Sequence, residues 1–282
     1  MIDALWDAVF DSIKLVPFLF LTYLLMEYLE HKTSEKTNRM IQKSGKLGPV
    51  MGGLLGVVPQ CGFSAAASGF YSGGVITMGT LIAIFLSTSD EMIPIMISEQ
   101  IPIITVVKIL LCKSLIGMIF GLLIDFVCRI KGKHNELQIE ELCDHEHCHC
   151  EEGHFVKSAL SHTLQIFGFI LIFTILLNEI MFFAGHALSD ALSSIPVISV
   201  ILSGLVGLIP NCAASVAITE MYLEGVISFG STMTGLLSGT GVGLLVLFRM
   251  NKSKKDSIKI MGITLAIGIM VGLLMDLTGF AL

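Results

Sequence analysis

The chain has 282 residues, of which 54% are hydrophobic and only 14% are charged, and its mean hydropathy is +0.83. This composition is too apolar for a soluble domain and is typical of a polytopic membrane protein. The formal net charge of -6 is modest, and much of it comes from an acidic loop around residues 136–152, so it indicates no nucleic-acid partner.

The second half of the chain repeats the first half at a constant offset. Pro59-Gln60-Cys61 returns as Pro210-Asn211-Cys212, and 210 minus 59 gives an offset of 151. Without any gap, the same offset pairs Ser64 with Ser215, Tyr71 with Tyr222, Gly74 with Gly225, Gly79 with Gly230, Lys108 with Lys259, Gly117 with Gly268, Gly121 with Gly272 and Asp125 with Asp276. Such a duplication in a very apolar chain is typical of secondary transporters, in which the substrate site lies where the repeats meet.

The distribution of basic residues predicts how the repeats cross the membrane. Lys and Arg cluster in three loops, at residues 32–46, 129–133 and 249–255, and the positive-inside rule places these loops in the cytoplasm. The acidic stretch before the first span and residues 185–194, which lack Lys and Arg, are then external. The repeats therefore begin on opposite sides, which predicts inverted topology with both termini external and a bacterial-type cytoplasmic membrane as the location.

These observations predict an all-α polytopic membrane protein with two inverted repeats of about five helical segments each. The first transmembrane repeat spans residues 1–130, a His/Cys-rich loop spans 131–156, and the second repeat spans 157–282. Each repeat should start with a long helix (about 8–29 and 156–183) and end with another (about 102–128 and 259–280). The roughly 50 residues between them cannot form three full spans of about 20 residues, so some segments should be short, re-entrant or unwound. Residues 1–7 lack the basic region of a signal peptide, so we expect the first helix to be retained.

The first break in each repeat surrounds a proline. Pro59 lacks a backbone donor and lies between Gly56 and Gly62, and the second repeat has the same pattern at residues 207–212. Carbonyl groups freed inside a membrane must face an enclosed cavity rather than lipid. We therefore predict an ion site at the pseudo-twofold axis, formed by Gln60, Cys61, Asn211 and Cys212. A simple proline kink is the alternative.

The second break carries two adjacent carboxylates. Residues 87–91 read Ser-Thr-Ser-Asp-Glu, whereas their counterpart at 238–241 reads Ser-Gly-Thr-Gly. Carboxylates inside an apolar stretch are costly unless they meet a cation or water, so Asp90 and Glu91 are predicted ligands whose protonation would couple the flux. The supporting oxygens would come from Ser64, Thr88, Ser215 and Thr240. The alternative is that this segment forms a helix N-cap at the membrane surface.

Other charged residues and glycines in the spans give weaker signals. Glu27 is a further candidate ligand, and it is equally compatible with an interfacial position. The matched pairs Lys108/Lys259 and Asp125/Asp276 lie near helix ends, which favours snorkelling or ion pairing between helices. The Gly-xxx-Gly motifs at 117–121 and 268–272 predict close helix packing.

The central loop concentrates thiols and imidazoles in a few residues. Such a tract binds soft or borderline metals, and its ligand types favour zinc or copper over manganese. The predicted metal ligands are Cys143, His145, His147, Cys148, His149, Cys150 and His154. A cytoplasmic collector of this kind favours export, and the alternative is a solvated linker without metal.

Three motifs carry a family resemblance: residues 58–64 (Val-Pro-Gln-Cys-Gly-Phe-Ser), residues 85–94 (Phe-Leu-Ser-Thr-Ser-Asp-Glu-Met-Ile-Pro) and residues 209–212 (Ile-Pro-Asn-Cys). With these motifs the chain resembles, over nearly its whole length, the family of ten-span heavy-metal exporters whose members are labelled manganese transporters or arsenic efflux proteins. It is more distantly similar to organoarsenical permeases, which likewise place a cysteine motif in a broken helix. The resemblance implies efflux across a membrane.

These features predict a secondary transporter that exports a divalent heavy-metal ion (manganese, zinc or similar) by alternating access, coupled to H+ or Na+. The chain has no P-loop and no His-Glu-xx-His pattern, so we expect neither an ATP-driven pump nor an enzyme, and no obligatory cofactor. The alternatives are an arsenite or organoarsenical permease using Cys61 and Cys212, a sodium-coupled carrier of small organic anions, and a metal-sensing receptor. The partners expected are the transported ion and the lipid bilayer, and a homodimer stays open.

Overall fold

The computed structural model describes residues 47–57, 61–88, 92–130, 196–210 and 212–279, together with scattered helical positions between 16 and 24 and between 160 and 175. All regular structure in these ranges is α-helical. The first repeat contributes α1 (Gly48–Leu55), α2 (Cys61–Ser72), α3 (Met78–Ser87), α4 (Met92–Ser98) and α5 (Ile103–Ile130). The second contributes α6 (Pro196–Gly207), α7 (Cys212–Leu223), α8 (Phe229–Ser238), α9 (Gly243–Met250) and α10 (Lys254–Thr278).

Both predicted breaks separate helices in both repeats. The first lies between α1 and α2 and between α6 and α7, and the second lies between α3 and α4 and between α8 and α9. Four short helices therefore stand where three segments were predicted, because a tight turn also divides α2 from α3 and α7 from α8. The predicted first helices of the two repeats lie outside the described residues, apart from the scattered helical positions.

The turn after α2 has the same structure as the turn after α7. Gly74 and Gly225 both have φ of 74°, a left-handed conformation that glycine adopts without steric cost. The N–H of Val75 donates to the carbonyl of Phe70 at 2.8 Å, and the N–H of Val226 donates to the carbonyl of Met221 at 2.9 Å. These bonds satisfy carbonyl groups at the helix ends. The offset of 151 residues thus relates two copies of one local structure.

Asp125 and Asp276 bind the N-termini of neighbouring helices. The carboxylate of Asp125 accepts hydrogen bonds from the Thr77 hydroxyl at 2.6 Å and from the Gly79 N–H at 2.9 Å, both at the start of α3. Asp276 accepts equivalent bonds at the start of α8, at 2.7 and 2.9 Å. A carboxylate at a helix N-terminus pairs orphan donors and complements the helix dipole. For these aspartates, this role replaces the predicted snorkelling or ion pairing.

The Gly-xxx-Gly motifs let the long helices approach the short ones. A Cβ added to Gly121 of α5 would lie 2.6 Å from the carbonyl oxygen of Gly79, and one added to Gly272 of α10 would lie 2.4 Å from that of Gly230. No side chain fits at such distances. The predicted packing role of these glycines is confirmed, and it fixes α5 on α3 and α10 on α8 in the same register.

The long helices α5 and α10 have the dimensions and surface of membrane spans. Among the described residues, three stretches are long and apolar enough to cross a bilayer: Ile103–Ile130, Phe229–Met250 and Lys254–Thr278. The second of these is α8 plus α9, interrupted at residues 239–242. Large apolar side chains remain exposed along α5 and α10, among them Leu111, Leu115, Phe126, Leu274 and Leu277. Contiguous apolar surface of this kind faces lipid.

The repeats pack against each other reciprocally. The second helix of each repeat contacts the fourth helix of the other, α2 with α9 and α4 with α7, and α3 contacts both α8 and α10. This arrangement brings the breaks of one repeat close to the breaks of the other. The inverted orientation of the repeats in the membrane stays a prediction.

The glycine contacts give a prediction about stability. Gly79→Ala and Gly230→Ala would place a Cβ 2.2 and 2.3 Å from a backbone oxygen of the facing helix, so each should destabilise the fold by about 1–3 kcal/mol. Gly262→Ala is the matched control, because it lies exposed on α10 with no atom within 4 Å of the added Cβ. We expect the first two variants to melt at lower temperatures than the wild type in detergent. The control should melt at the wild-type temperature. Equal stability of all three would contradict the packing.

Candidate functional site

Four of the predicted oxygen ligands lie at the described helix ends where the repeats meet. Ser64, Thr88 and Thr240 are buried, and Ser215 is partly buried. Cys61 and Cys212 are the first residues of α2 and α7, immediately after the proline breaks. The other predicted residues lie outside the described ranges: Glu27, Gln60, Asp90, Glu91, Asn211, Cys143, His145, His147, Cys148, His149, Cys150 and His154.

The start of α2 lies directly against the start of α9. The Ser68 hydroxyl donates to the carbonyl of Ser64 at 2.9 Å and contacts the carbonyl of Gly243 at 2.7 Å. A Cβ on Gly243 would lie 2.8 Å from the backbone and side chain of Ser64, so only glycine permits this crossing. The first turns of α2, which follow the first break of one repeat, are thereby joined to the start of α9, which follows the second break of the other.

At the end of α3, Thr88 presents its backbone oxygen rather than its hydroxyl to the neighbouring helix α5. The Thr88 hydroxyl donates to the carbonyl of Ile84 at 2.7 Å, within its own helix. The carbonyl of Thr88 instead accepts a hydrogen bond from the ammonium of Lys113. The Thr88 oxygen that meets a cationic group is therefore its carbonyl, and the predicted role of Thr88 as an ion ligand stays a prediction.

Lys113 is a fully buried cation between the two repeats. It lies in the middle of the apolar sequence of α5, and 0% of its surface is exposed. Its Nζ donates to the carbonyl of Thr88 in the first repeat and, at 2.9 Å, to the carbonyl of Leu236 in the second. Helix C-terminal carbonyls carry partial negative charge, so they stabilise an ammonium held out of water. The lysine connects the ends of α3 and α8 across the repeat boundary.

Sequence reasoning missed Lys113, although a signal was present. An ionisable residue in the middle of a long apolar run is by default a functional candidate. Comparison of the repeats draws attention instead to Lys108, because Lys259 matches it, and both of those side chains are exposed. Lys113 pairs with Thr264, since 113 plus 151 gives 264, and a search for matched charges passes over it.

The end of α8 gathers several oxygens around Gly239. A Cβ on Gly239 would lie 3.3 Å from the carbonyl oxygen of Gly235, 3.5 Å from that of Leu236 and 3.5 Å from the hydroxyl of Ser215. Ser238 and Thr240, on either side of Gly239, are both 0% exposed, and neither hydroxyl has a hydrogen-bond partner in the described structure. Buried hydroxyls without partners are costly, so a ligand or water that reached them would be stabilised by them.

The described part of this centre therefore consists of neutral oxygens and one ammonium. Within the described ranges, no three His, Cys, Asp or Glu side chains converge on a point that could hold a metal ion. The carbonyls of Thr88 and Leu236 already bind one positive charge, and hydroxyls cluster at the neighbouring helix end. The chemistry that this arrangement supports is the coordination of cations by oxygen in a site closed to solvent.

A comparison with protein families gives a match over two ranges of the chain. The family model described as "Putative, 10TM heavy-metal exporter" matches residues 1–183 and again residues 168–280, which together cover almost the whole chain. The chain belongs to this heavy-metal exporter family. Neither curated proteins nor solved structures gave a significant match.

Membership in the exporter family agrees with the apolar helices, and the protein is a multi-pass membrane protein. Two of the features described above stand out against that background: helices that end inside the apolar body, and a buried lysine that joins the ends of two of them.

Burial of Lys113 predicts how its amine reacts. Brief treatment of the exporter in detergent with an amine-reactive ester should modify Lys108 and Lys259, which are exposed, about 100-fold or more faster than Lys113, because a buried group reacts only when the structure opens. Mass spectrometry of peptides measures the three rates, and the denatured protein provides the control in which all three react alike. Similar rates in the folded protein would show that Lys113 is not buried.

Proposed function

We propose that this exporter moves a divalent heavy-metal ion, manganese, zinc or a similar metal, from the cytosol to the outside by alternating access. The repeats would rock against each other around a site at their shared centre, as in other transporters built from internal repeats. The buried ammonium of Lys113 on the carbonyls of Thr88 and Leu236 is the observation that carries the proposal. Those carbonyls stabilise positive charge away from water, which any cation pathway through an apolar protein must do.

The charge that binds the cargo would come from Asp90 and Glu91. They follow Thr88 by two and three residues, and a chain spans at most about 3.6 Å per residue, so their backbones lie within roughly 7–11 Å of Thr88. With both carboxylates ionised, their charge of -2 and the +1 of Lys113 sum to -1. A divalent ion then changes the total to +1, so one added proton or a displaced ammonium would alter affinity strongly.

Soft ligands would be added by the two cysteines. Cys61 and Cys212 each begin a helix after a proline break, and the positive end of a helix dipole favours a thiolate there. Thiolate together with the amides of Gln60 and Asn211 suits borderline metals such as zinc better than purely hard ions. The same pair would serve the alternative cargo, trivalent arsenic, without any need for carboxylates.

The central loop would collect metal on the cytosolic side. Its cysteines and histidines between residues 143 and 154 bind zinc-like ions, and the basic residues next to the loop place it in the cytoplasm by the positive-inside rule. A collector on that side delivers ions for export. Coupling to H+ or Na+ would drive the movement, because the chain lacks a P-loop for ATP.

Flux measurements with carboxylate variants test the proposal. In inside-out vesicles, Asp90→Asn with Glu91→Gln should lower the apparent affinity for Mn²⁺ or Zn²⁺ uptake by about 100-fold or more, since loss of even the outer partners of a metal ligand typically costs 10- to 100-fold. Uptake is measured with each metal separately. Lys108→Gln is the control, because Lys108 is exposed and distant in sequence from both breaks.

Two results would overturn parts of this proposal. Normal metal uptake by the double carboxylate variant would remove Asp90 and Glu91 from the site. Uptake of arsenite that is insensitive to those substitutions but abolished by Cys61→Ser with Cys212→Ser would show that the cargo is the soft arsenical instead.

A further inference from the structure

One side-chain contact between the two repeats has no counterpart at the related position. The Tyr71 hydroxyl, near the end of α2, donates a hydrogen bond of 2.6 Å to the carboxylate of Asp256, the third residue of α10. A hydrogen bond to a carboxylate is shorter and stronger than one between neutral groups. It holds the outer end of α2 to the start of the last helix of the other repeat.

The related residues of the second repeat do not form this bond. The offset of 151 residues pairs Tyr71 with Tyr222 and Asp256 with Thr105, the third residue of α5. The ring of Tyr222 packs instead on Phe229 of its own repeat, with 5.8 Å between the ring centroids. Among the described residues, neither Tyr222 nor Thr105 hydrogen bonds to the opposite repeat through its side chain. The bond is therefore one-sided, since Thr105 has no carboxylate to accept it.

A second contact between α2 and α9, closer to the breaks, shows the same asymmetry. The Ser68 hydroxyl lies 2.7 Å from the carbonyl of Gly243, the first residue of α9. Thr219, its counterpart, donates within its own helix at 2.8 Å. Gly243 corresponds to Met92 in the first repeat, and a Cβ at the position of Gly243 would lie 2.8 Å from α2. The helix pair α4 and α7 therefore cannot cross as closely as α9 and α2 do.

Both contacts lie on one side of the breaks. Tyr71 follows Cys61 by ten residues, which places it about 15 Å along α2 from the first break. The helix α9 leads from Gly243 to residues 249–255, the basic stretch that the positive-inside rule assigns to the cytosol, and Asp256 follows directly. The helices α2 and α9 therefore extend together from the breaks towards the predicted cytosolic surface, and the tyrosine bond closes their outer end.

We infer that the hydrogen bond between Tyr71 and Asp256 is a latch that holds the protein closed on the cytosolic side and that must open before cargo enters. In the closed state, the packed helices α2 and α9 separate the predicted ligands at the breaks from the cytosolic surface. This inference rests on the proposed transport by alternating access, and it names a contact that one of the two states must break.

A latch on one side shifts the equilibrium between the two states. Equivalent bonds on both sides would stabilise both states alike, whereas this bond stabilises only the state that is closed to the cytosol. The latch thus lowers the population of the cytosol-open state, and the apparent affinity for cytosolic cargo falls in proportion to that population. Weakening the latch should therefore raise the apparent affinity, which is the opposite of what damage to the cargo site does.

Amide hydrogen exchange of the purified full-length protein in detergent tests the latch without any cargo. Tyr71→Phe removes the hydroxyl and keeps the ring. The amides of α2 and α9 should then exchange about 10-fold faster, the change in open population expected from the loss of one hydrogen bond to a charged group. The amides of α6 and α8 should keep their wild-type rates. Mass spectrometry of peptides measures all four helices in one experiment.

The matched control is Tyr222→Phe, the same substitution at the related position of α7. It should leave exchange in α2 and α9 unchanged, because the Tyr222 side chain packs within its own repeat. Asp256→Asn removes the charge of the acceptor and should speed exchange in α2 and α9. Combined with Tyr71→Phe it should add little, since both substitutions act on one bond. If Tyr71→Phe does not fold, Asp256→Asn is compared with the wild type instead.

Metal uptake into inside-out vesicles connects the latch with transport. Tyr71→Phe should lower the Mn²⁺ or Zn²⁺ concentration that gives half-maximal uptake, by up to about 10-fold, because more of the protein is open to the cytosolic side. Tyr222→Phe should leave this concentration unchanged. A tyrosine that only stabilised the fold would not improve the apparent affinity when its hydroxyl is removed.

Four outcomes would overturn the latch: unchanged exchange in α2 and α9 after Tyr71→Phe, an equal increase in all helices, the same increase after Tyr222→Phe, or normal metal uptake with an unchanged half-maximal concentration. These failures are distinguishable from failure of the export proposal. Exchange is measured without metal, so it reports on the contact itself, whereas a wild type that takes up neither Mn²⁺ nor Zn²⁺ would contradict export.

Discussion

The central constraint on this structure is that helices end inside an apolar body, where each freed carbonyl needs a donor or a cation. At the ends of α3 and α8, the carbonyls of Thr88 and Leu236 accept hydrogen bonds from the fully buried ammonium of Lys113. The carbonyls of two helices stabilise the buried ammonium, and the ammonium in turn supplies the donor that these carbonyls need away from water. The ammonium thus joins the two repeats at the ends of α3 and α8.

The scaffold around that point is symmetric. Both repeats use an aspartate of the last helix on the N-terminus of the third, the same glycine contacts between those helices, and the same left-handed glycine in a turn. The chemistry at the centre is asymmetric instead. At the offset of 151 residues, Lys113 corresponds to Thr264, and Asp90 and Glu91 correspond to Gly241 and Val242. The first repeat therefore carries charged residues at positions where the second repeat carries neutral ones.

Much of this frame could be predicted from the sequence. The gap-free offset, the helix-breaking prolines and the glycine motifs predicted two repeats, their breaks and their close packing, because each depends on backbone properties that are local in the chain. Asp125 and Asp276 were recognised as a pair and given the wrong role. Whether a carboxylate pairs with a cation or with a helix N-terminus depends on which helix lies beside it, and sequence spacing does not contain that information.

The chemical centre was predictable only in part. Ser64, Thr88, Ser215 and Thr240 lie near described helix ends, and their role as ion ligands stays a prediction. Lys113 was missed because a comparison of the repeats draws attention to residues that are identical in both, and the second repeat has a threonine at the position of Lys113. Its contact with Leu236 joins residues 123 apart in the chain, and only packing reveals it. The family match places the chain among heavy-metal exporters.

The most direct test of the account is an experimental structure of the full chain with bound cadmium or manganese, located by anomalous scattering. The account predicts a metal peak at the centre, within coordination distance of residues among 60–61, 88–91 and 211–212. Metal peaks in the central loop at 143–154 with none between the two repeats would contradict it.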